Sequence, residues 1–147
     1  MSEDNTEMDA QLEPQRHIGY LIRRAQQRHV AVWLEQVSSD ITSVQYATLA
    51  VLERNPGLSQ RELGDELDLD RSTINDLVSR LEKRGLIART QAPDDKRRKV
   101  LVLTSAGHTE FVRLQPAVAE VQNALVHALE PKDATELRRL LSRMLAT

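Results

Sequence analysis

Two clusters of side chains in this chain have the types and spacing to do chemistry on a polyanion. The first is Arg71-Ser72-Thr73, continued by Asn75, Asp76, Ser79 and Arg80. It is threaded through the apolar positions Ile74, Leu77, Val78 and Leu81. Apolar residues at i, i+3, i+4 and i+7 bury one face of a helix and leave the intervening polar groups on the other. Short hydroxyls, a carboxamide and guanidinium groups on one helix are the donors and acceptors that read base edges in a major groove. Backbone amides at the helix N-terminus can also bind a phosphate. The second cluster is Lys96-Arg97-Arg98-Lys99. Four consecutive like charges repel one another unless a polyanion lies nearby, and arginine in a narrow minor groove is one such use.

The overall charge hides this concentration. From Arg71 to Lys99 there are nine basic residues against four acids, a balance of +5, which leaves −7 for the rest of a chain whose net charge is −2. A positive patch on an acidic protein is the electrostatic footprint expected of a nucleic-acid binder. The chain has 147 residues, 40% of them hydrophobic, enough for one domain with a real core. Aromatics are few, with one Trp, two Tyr and one Phe, so aliphatic residues must do most of the packing. Five Gly and five Pro argue for long helices rather than a turn-rich sheet protein.

The elements that must position the clusters follow from caps and periodicity. Residues 1–13 are acidic and aperiodic and are expected to form a disordered tail. An amphipathic helix is expected from about Pro14 to Gln36. Thr42-Ser43-Val44-Gln45 reads as a capping box opening a helix to Arg54, stopped by Asn55-Pro56-Gly57. Ser59-Gln60-Arg61-Glu62 is a second capping box, for a short helix through Leu67. After a three-residue turn, Asp70 caps the helix Arg71–Arg84, which Gly85 closes. Segments 86–90 and 98–104 read as two strands joined by the charged loop Pro93-Asp94-Asp95-Lys96-Arg97. A long helix is expected from Ser105 to His127 with Pro116 inside it, and a last one from Pro131, stacking Ala134, Leu137, Leu140, Leu141, Met144 and Leu145. Two short helices alone also fit an ordinary hairpin with a solvated polar face; the basic strand pair after them favours a helix-turn-helix with a wing.

Leu81-Glu82-Lys83-Arg84-Gly85-Leu86-Ile87, Asp95-Lys96-Arg97 and Leu103-Thr104-Ser105-Ala106-Gly107 resemble the MarR family of bacterial transcription regulators. Ile41-Thr42-Ser43-Val44-Gln45-Tyr46 and Leu58-Ser59-Gln60-Arg61-Glu62-Leu63 extend the resemblance upstream, to about residues 14–145 in all. It implies a mainly α (α+β) fold, with a winged helix-turn-helix over 41–104 and an all-helical dimerisation region from 14–38 and 105–147. It further implies a salt bridge from Asp95 to Arg97, with Arg97 in the minor groove and Ser72, Thr73 and Asn75 facing bases. Arg71, Asp76, Arg80, Lys96 and Arg98 complete the expected DNA-binding set. Asp76 departs from the family pattern: an acid can accept from a cytosine amino group or pair with Arg80, yet it repels phosphate.

The terminal helices carry apolar stripes that one small winged helix cannot cover, so a two-fold homodimer on an inverted repeat is expected, with a closed monomer as the alternative. The family often senses small aromatic acids in a cleft between the dimer region and the winged helix. Candidates for such an effector are Tyr20, Arg23, Arg24, Arg28, His29 and Trp33 on the first helix and Tyr46 on the second. Arginine beside aromatics suits an anionic aromatic ligand, and the phosphates of an acyl-CoA would also suit so many cations. The same residues also fit plainer roles: Trp33 and His29 as interior packing, and the arginines as a solvated face.

No cysteine occurs, so disulfides, thiolate zinc sites and thiol redox sensing are excluded. The four histidines, at 17, 29, 108 and 127, show no metal spacing, and neither metal nor cofactor is expected. With no basic, apolar leader and no run near the ~20 residues of a membrane span, a soluble cytoplasmic protein is expected. No glycine-rich cofactor loop or nucleophile elbow supports an enzyme. A winged helix that mediates protein contacts or dimerisation without DNA remains the alternative function.

Overall fold

The computed structural model describes residues 12–146, in the order α1 (Ile18–Gln36), α2 (Ser43–Arg54), α3 (Gln60–Leu67), α4 (Arg71–Lys83), β1 (Ile87–Gln91), β2 (Lys99–Leu103), α5 (Ser105–Val126) and α6 (Pro131–Leu145). Nearly all of the acidic segment expected to be a tail lies outside the described residues. The chain divides into two compact units. One takes residues 37–118, and the other takes the residues before 37 together with those from 119 onward.

In the first unit the caps read from the sequence set the helix starts. Thr42 Oγ1 accepts the Gln45 amide at 3.1 Å while the Gln45 side chain accepts the Thr42 amide at 3.0 Å. Ser59 and Glu62 make the same reciprocal pair, both at 3.1 Å. Accepting those bonds holds the Glu62 carboxyl below its ordinary value. Asp68 takes up a left-handed backbone (φ 52°) between α3 and α4, a conformation that aspartate tolerates better than most residues. The core gathers Leu49, Leu52, Leu63, Val78, Leu81 and Leu101 between α2, α3, α4 and the strands.

At the far end of α4, Gly85 adopts φ +74° and the Leu86 amide bonds back to the Leu81 carbonyl at 3.0 Å. This closure consumes Leu86, so β1 starts at Ile87, one residue later than expected. The strands pair antiparallel from Ile87↔Leu103 to Gln91↔Lys99. Gly57 and Leu58 add main-chain bonds on the other side of Leu101, at 2.9 and 2.7 Å. The Thr104 hydroxyl donates to the Gly85 carbonyl at 2.5 Å and accepts the Gly107 amide at 3.0 Å. One side chain thus ties the end of α4 to the start of α5. Gly107 lies so close to the Leu86 carbonyl that a β-carbon there would collide with backbone.

In the second unit the first helix is shorter than periodicity suggested. Pro14–Arg16 form a single 3₁₀ turn and His17 is extended, so α1 begins at Ile18. Arg28 of α1 donates to the Ala124 carbonyl of α5 at 3.2 Å. Val32 and Trp33 are buried, whereas Ile18, Leu21 and Ile22 are exposed. Along α6 no residue is buried, and Leu137, Leu140, Leu141, Met144 and Leu145 all lie open. The long α5 runs through Pro116 and ends at Val126. Among the described residues, no helix is long and apolar enough to cross a membrane.

Candidate nucleic-acid interface

The start of α4 is fixed by its cap. Asp70 Oδ1 accepts the Thr73 amide at 2.7 Å, and bonding to the Thr73 and Ser72 amides holds the Asp70 carboxyl below its ordinary value. Ile74, Leu77, Val78 and Leu81 are buried, which fixes the rotation of the helix about its axis. Arg71, Ser72, Thr73, Asn75, Asp76 and Arg80 are all exposed on the remaining surface. The arrangement therefore brings the candidate readers of α4 to one face.

On that face one of the two arginines is paired. Arg80 Nε lies 3.0 Å from Asp76 Oδ2 one turn away, with the two side chains 68% and 67% exposed. A pair so open to water contributes little stability, yet it occupies a cation that would otherwise meet phosphate. Asp76 thus takes the second of the two roles open to it in the free protein. One neighbour was not singled out from the sequence. Gln60, the first residue of α3, donates from Nε2 to Asn75 Oδ1 at 3.3 Å. Gln60, Arg71, Ser72 and Asn75 line one concave patch, and Arg61 borders the adjoining one with Arg71.

The wing has a different chemistry. Ala92 is buried and its amide bonds to the Arg98 carbonyl at 2.9 Å, which closes the loop between the strands. Lys96, Arg97, Arg98 and Lys99 are all exposed. The salt bridge implied by the family resemblance is not formed by its expected partners. Asp95 Oδ1 accepts the main-chain amide of Arg97 at 2.9 Å, and the ion pair of the loop is Arg98–Asp94 at 3.0 Å. An aspartate bonded to the amide two residues on is the usual side-chain turn, which spends the carboxylate on shaping the backbone. Arg98 reaches Asp94 instead and holds that carboxyl below its ordinary value. Among the described residues, Lys96, Arg97 and Lys99 have no acidic partner, so three cations at the wing tip remain available to phosphate. Behind them, Arg89 of β1 donates to Glu82 of α4 at 2.9 Å, joining wing and helix.

The effector candidates are distributed over both units. Arg23 sits 5.0 Å over the Tyr20 ring, a cation–π contact at the surface of α1. Arg24 is exposed, and Arg28 is engaged with the Ala124 carbonyl. Trp33 is only 6% exposed and meets His29 edge-on at 6.2 Å. Tyr46 belongs to the first unit, where it stacks on Phe111 at 5.6 Å, and burial raises its phenol pKa.

Residues 39–98 match the model of the MarR family. The PcaV transcriptional regulator of Streptomyces coelicolor, solved with its natural ligand, is 38% identical; the match covers 90% of this chain and 94% of that one, with a TM-score of 0.85. BpsR of Bordetella bronchiseptica, whose DNA binding is regulated by 6-hydroxynicotinic acid, is 26% identical over 92% of this chain and 98% of its own, with a TM-score of 0.86. The transcriptional repressor CouR, bound to a 23-mer DNA duplex, is 29% identical over 91% of this chain and 98% of its own, with a TM-score of 0.81.

Proposed function

The chain belongs to the MarR family of DNA-binding transcriptional regulators, not enzymes, and from that premise we propose a repressor that occupies a palindromic operator as a homodimer. A small anionic aromatic effector then releases it. The observation that carries this reading is the pairing within one compact unit of a capped, polar-faced α4 with a wing bearing three uncommitted cations. In this reading Ser72, Thr73 and Asn75 face base edges, with Arg71 and Arg80 beside them. Lys96 and Arg97, joined by Arg98 once it leaves Asp94, meet the phosphates and the minor groove.

The exposed apolar faces of α1 and α6 support the homodimer. A face of Leu137, Leu140, Leu141, Met144 and Leu145 left in water is costly, and a second copy covers it without any new chemistry. Two reading helices related by a two-fold axis would then meet half-sites about 10–10.5 bp apart, or a multiple of that spacing. On this division residues 41–104 read DNA, while 14–38 and 105–147 dimerise.

An aromatic acid is favoured over an acyl-CoA by the relative regulated by 6-hydroxynicotinic acid and by the aromatic and cationic side chains of α1. The effector must bind one spacing of the two lobes more tightly than the other, because equal affinity shifts nothing. The test is a binding titration on duplexes selected from a random pool, with the oligomeric state measured in parallel. A dimer that retains one palindrome, and releases it with an aromatic acid, supports the reading. Failure to select any duplex would favour a winged helix used for protein contacts alone.

A further inference from the structure

We infer that Gln60 is a positioning residue for base reading: by holding the Asn75 carboxamide oxygen it turns Asn75 into a hydrogen-bond donor toward the major groove. The inference rests on the reading above that Asn75 faces a base.

The geometry begins with the backbone. Gln60 follows the Ser59 cap directly, and the reciprocal Ser59–Glu62 bonds fix the first turn of α3. From there its side chain crosses to α4, fifteen residues on, and Nε2 donates to Asn75 Oδ1 at 3.3 Å. The other end of the Gln60 amide is turned into the protein: Oε1 is buried and has no hydrogen-bond partner among the described residues. Gln60 therefore offers Asn75 a donor, and its own acceptor is out of reach of DNA.

This bond decides what Asn75 shows. A carboxamide carries its oxygen and its NH₂ on the two arms of one planar fork. With Oδ1 drawn back toward α3, Nδ2 is the end left to face outward. A bidentate match to adenine needs donor and acceptor together on the same edge. Asn75 held in this way presents its NH₂ to the groove, so it suits guanine, whose major-groove edge shows two acceptors, and opposes cytosine, whose edge shows an amino donor. Gln60 thus sets specificity without touching a base.

The experiment measures relative affinity of the full-length protein for duplexes carrying each base pair at every operator position. It compares wild type, Asn75→Ala, Gln60→Ala and Gln60→Glu, with melting temperatures recorded for all four. Wild type should favour guanine over cytosine at one position by about fivefold or more. Asn75→Ala should flatten that position. Gln60→Ala should weaken the guanine preference there and admit adenine, and should add nothing in the Asn75→Ala background. Gln60→Glu offers only an acceptor, so it should turn the Asn75 amide around and invert the preference toward cytosine. The salt slope of Gln60→Ala should match wild type. A uniform loss of affinity across all duplexes, with or without a fall in melting temperature, would overturn the inference in favour of a backbone contact or a structural role. If Asn75→Ala alters base preference while neither Gln60 variant does, the positioning role fails and base reading stands. If Asn75→Ala alters no position, both fail together.

Discussion

The reading helix and the wing lie in the same compact unit, less than thirty residues apart in sequence, yet they treat charge in opposite ways. On the exposed face of α4 one arginine is offset by an acid, and Arg71 has no acidic partner among the described residues. Asp76 pairs Arg80, Asp70 is committed to the helix cap, and Gln60 holds Asn75. At the wing, one aspartate is spent on Arg98 and another on the backbone, while Lys96, Arg97 and Lys99 stay uncommitted. The difference separates two tasks. In the function proposed above, salt-sensitive, sequence-blind affinity belongs mainly to the wing, and sequence discrimination to a helix with one uncompensated arginine on its face.

The widest break in this comparison comes from stripping the wing. Replacing Lys96, Arg97 and Lys99 together by Ala should lower affinity for any duplex roughly a hundredfold and flatten the salt dependence. A fluorescence-anisotropy titration over several salt concentrations checks both. Next comes detaching the wing from the helix it follows. Gly107→Ala forces a β-carbon against the Leu86 carbonyl, which backbone cannot cheaply yield. It should cost about 1–3 kcal/mol of stability, read by denaturant unfolding. A smaller change sharpens the contrast from the helix side. Asp76→Asn removes the acid and releases Arg80, so non-specific affinity should rise roughly fivefold and the salt slope should steepen, making α4 behave more like the wing.

The smallest effect concerns the cap. Folding lowers the Asp70 pKa below its ordinary 3.8, so its stabilising contribution is complete at neutral pH and disappears as pH falls through the folded-state value. Asn caps a helix about as well but does not titrate. The stability difference between wild type and Asp70→Asn should therefore change as pH is lowered through about 4 and stay constant above it. Thermal melts between neutral and acidic pH test this.

Local interactions were the legible ones. The Thr42, Ser59 and Asp70 caps and the Gly85 stop each depend on residues a few positions apart, so chain order determines them almost alone. The same holds for the buried stripe of α4, which fixes the face carrying Ser72, Thr73 and Asn75. What failed to show in the sequence depends on distance across a fold or on loop shape. Asp94 and Asp95 look interchangeable in one dimension, and the turn alone assigns one to Arg98 and the other to the Arg97 amide. The Gln60–Asn75 bond required the angle between α3 and α4; its one earlier signal was a polar residue directly after a helix cap. The first helix was expected from about Pro14, but the extended His17 breaks the run before Ile18. The open faces of α1 and α6 posed a different problem: periodicity marks them as apolar, and among the described residues they stay exposed.

The division of labour between wing and helix is tested most directly by salt titrations of Arg97→Ala and Asn75→Ala, each on a selected operator and on a scrambled duplex. The account predicts that Arg97→Ala weakens both duplexes alike and lowers the salt slope by about one per protomer. It predicts that Asn75→Ala leaves the slope and the scrambled-duplex affinity unchanged while shrinking the ratio between the two. An unchanged slope in Arg97→Ala, or an equal loss on both duplexes in Asn75→Ala, would contradict it.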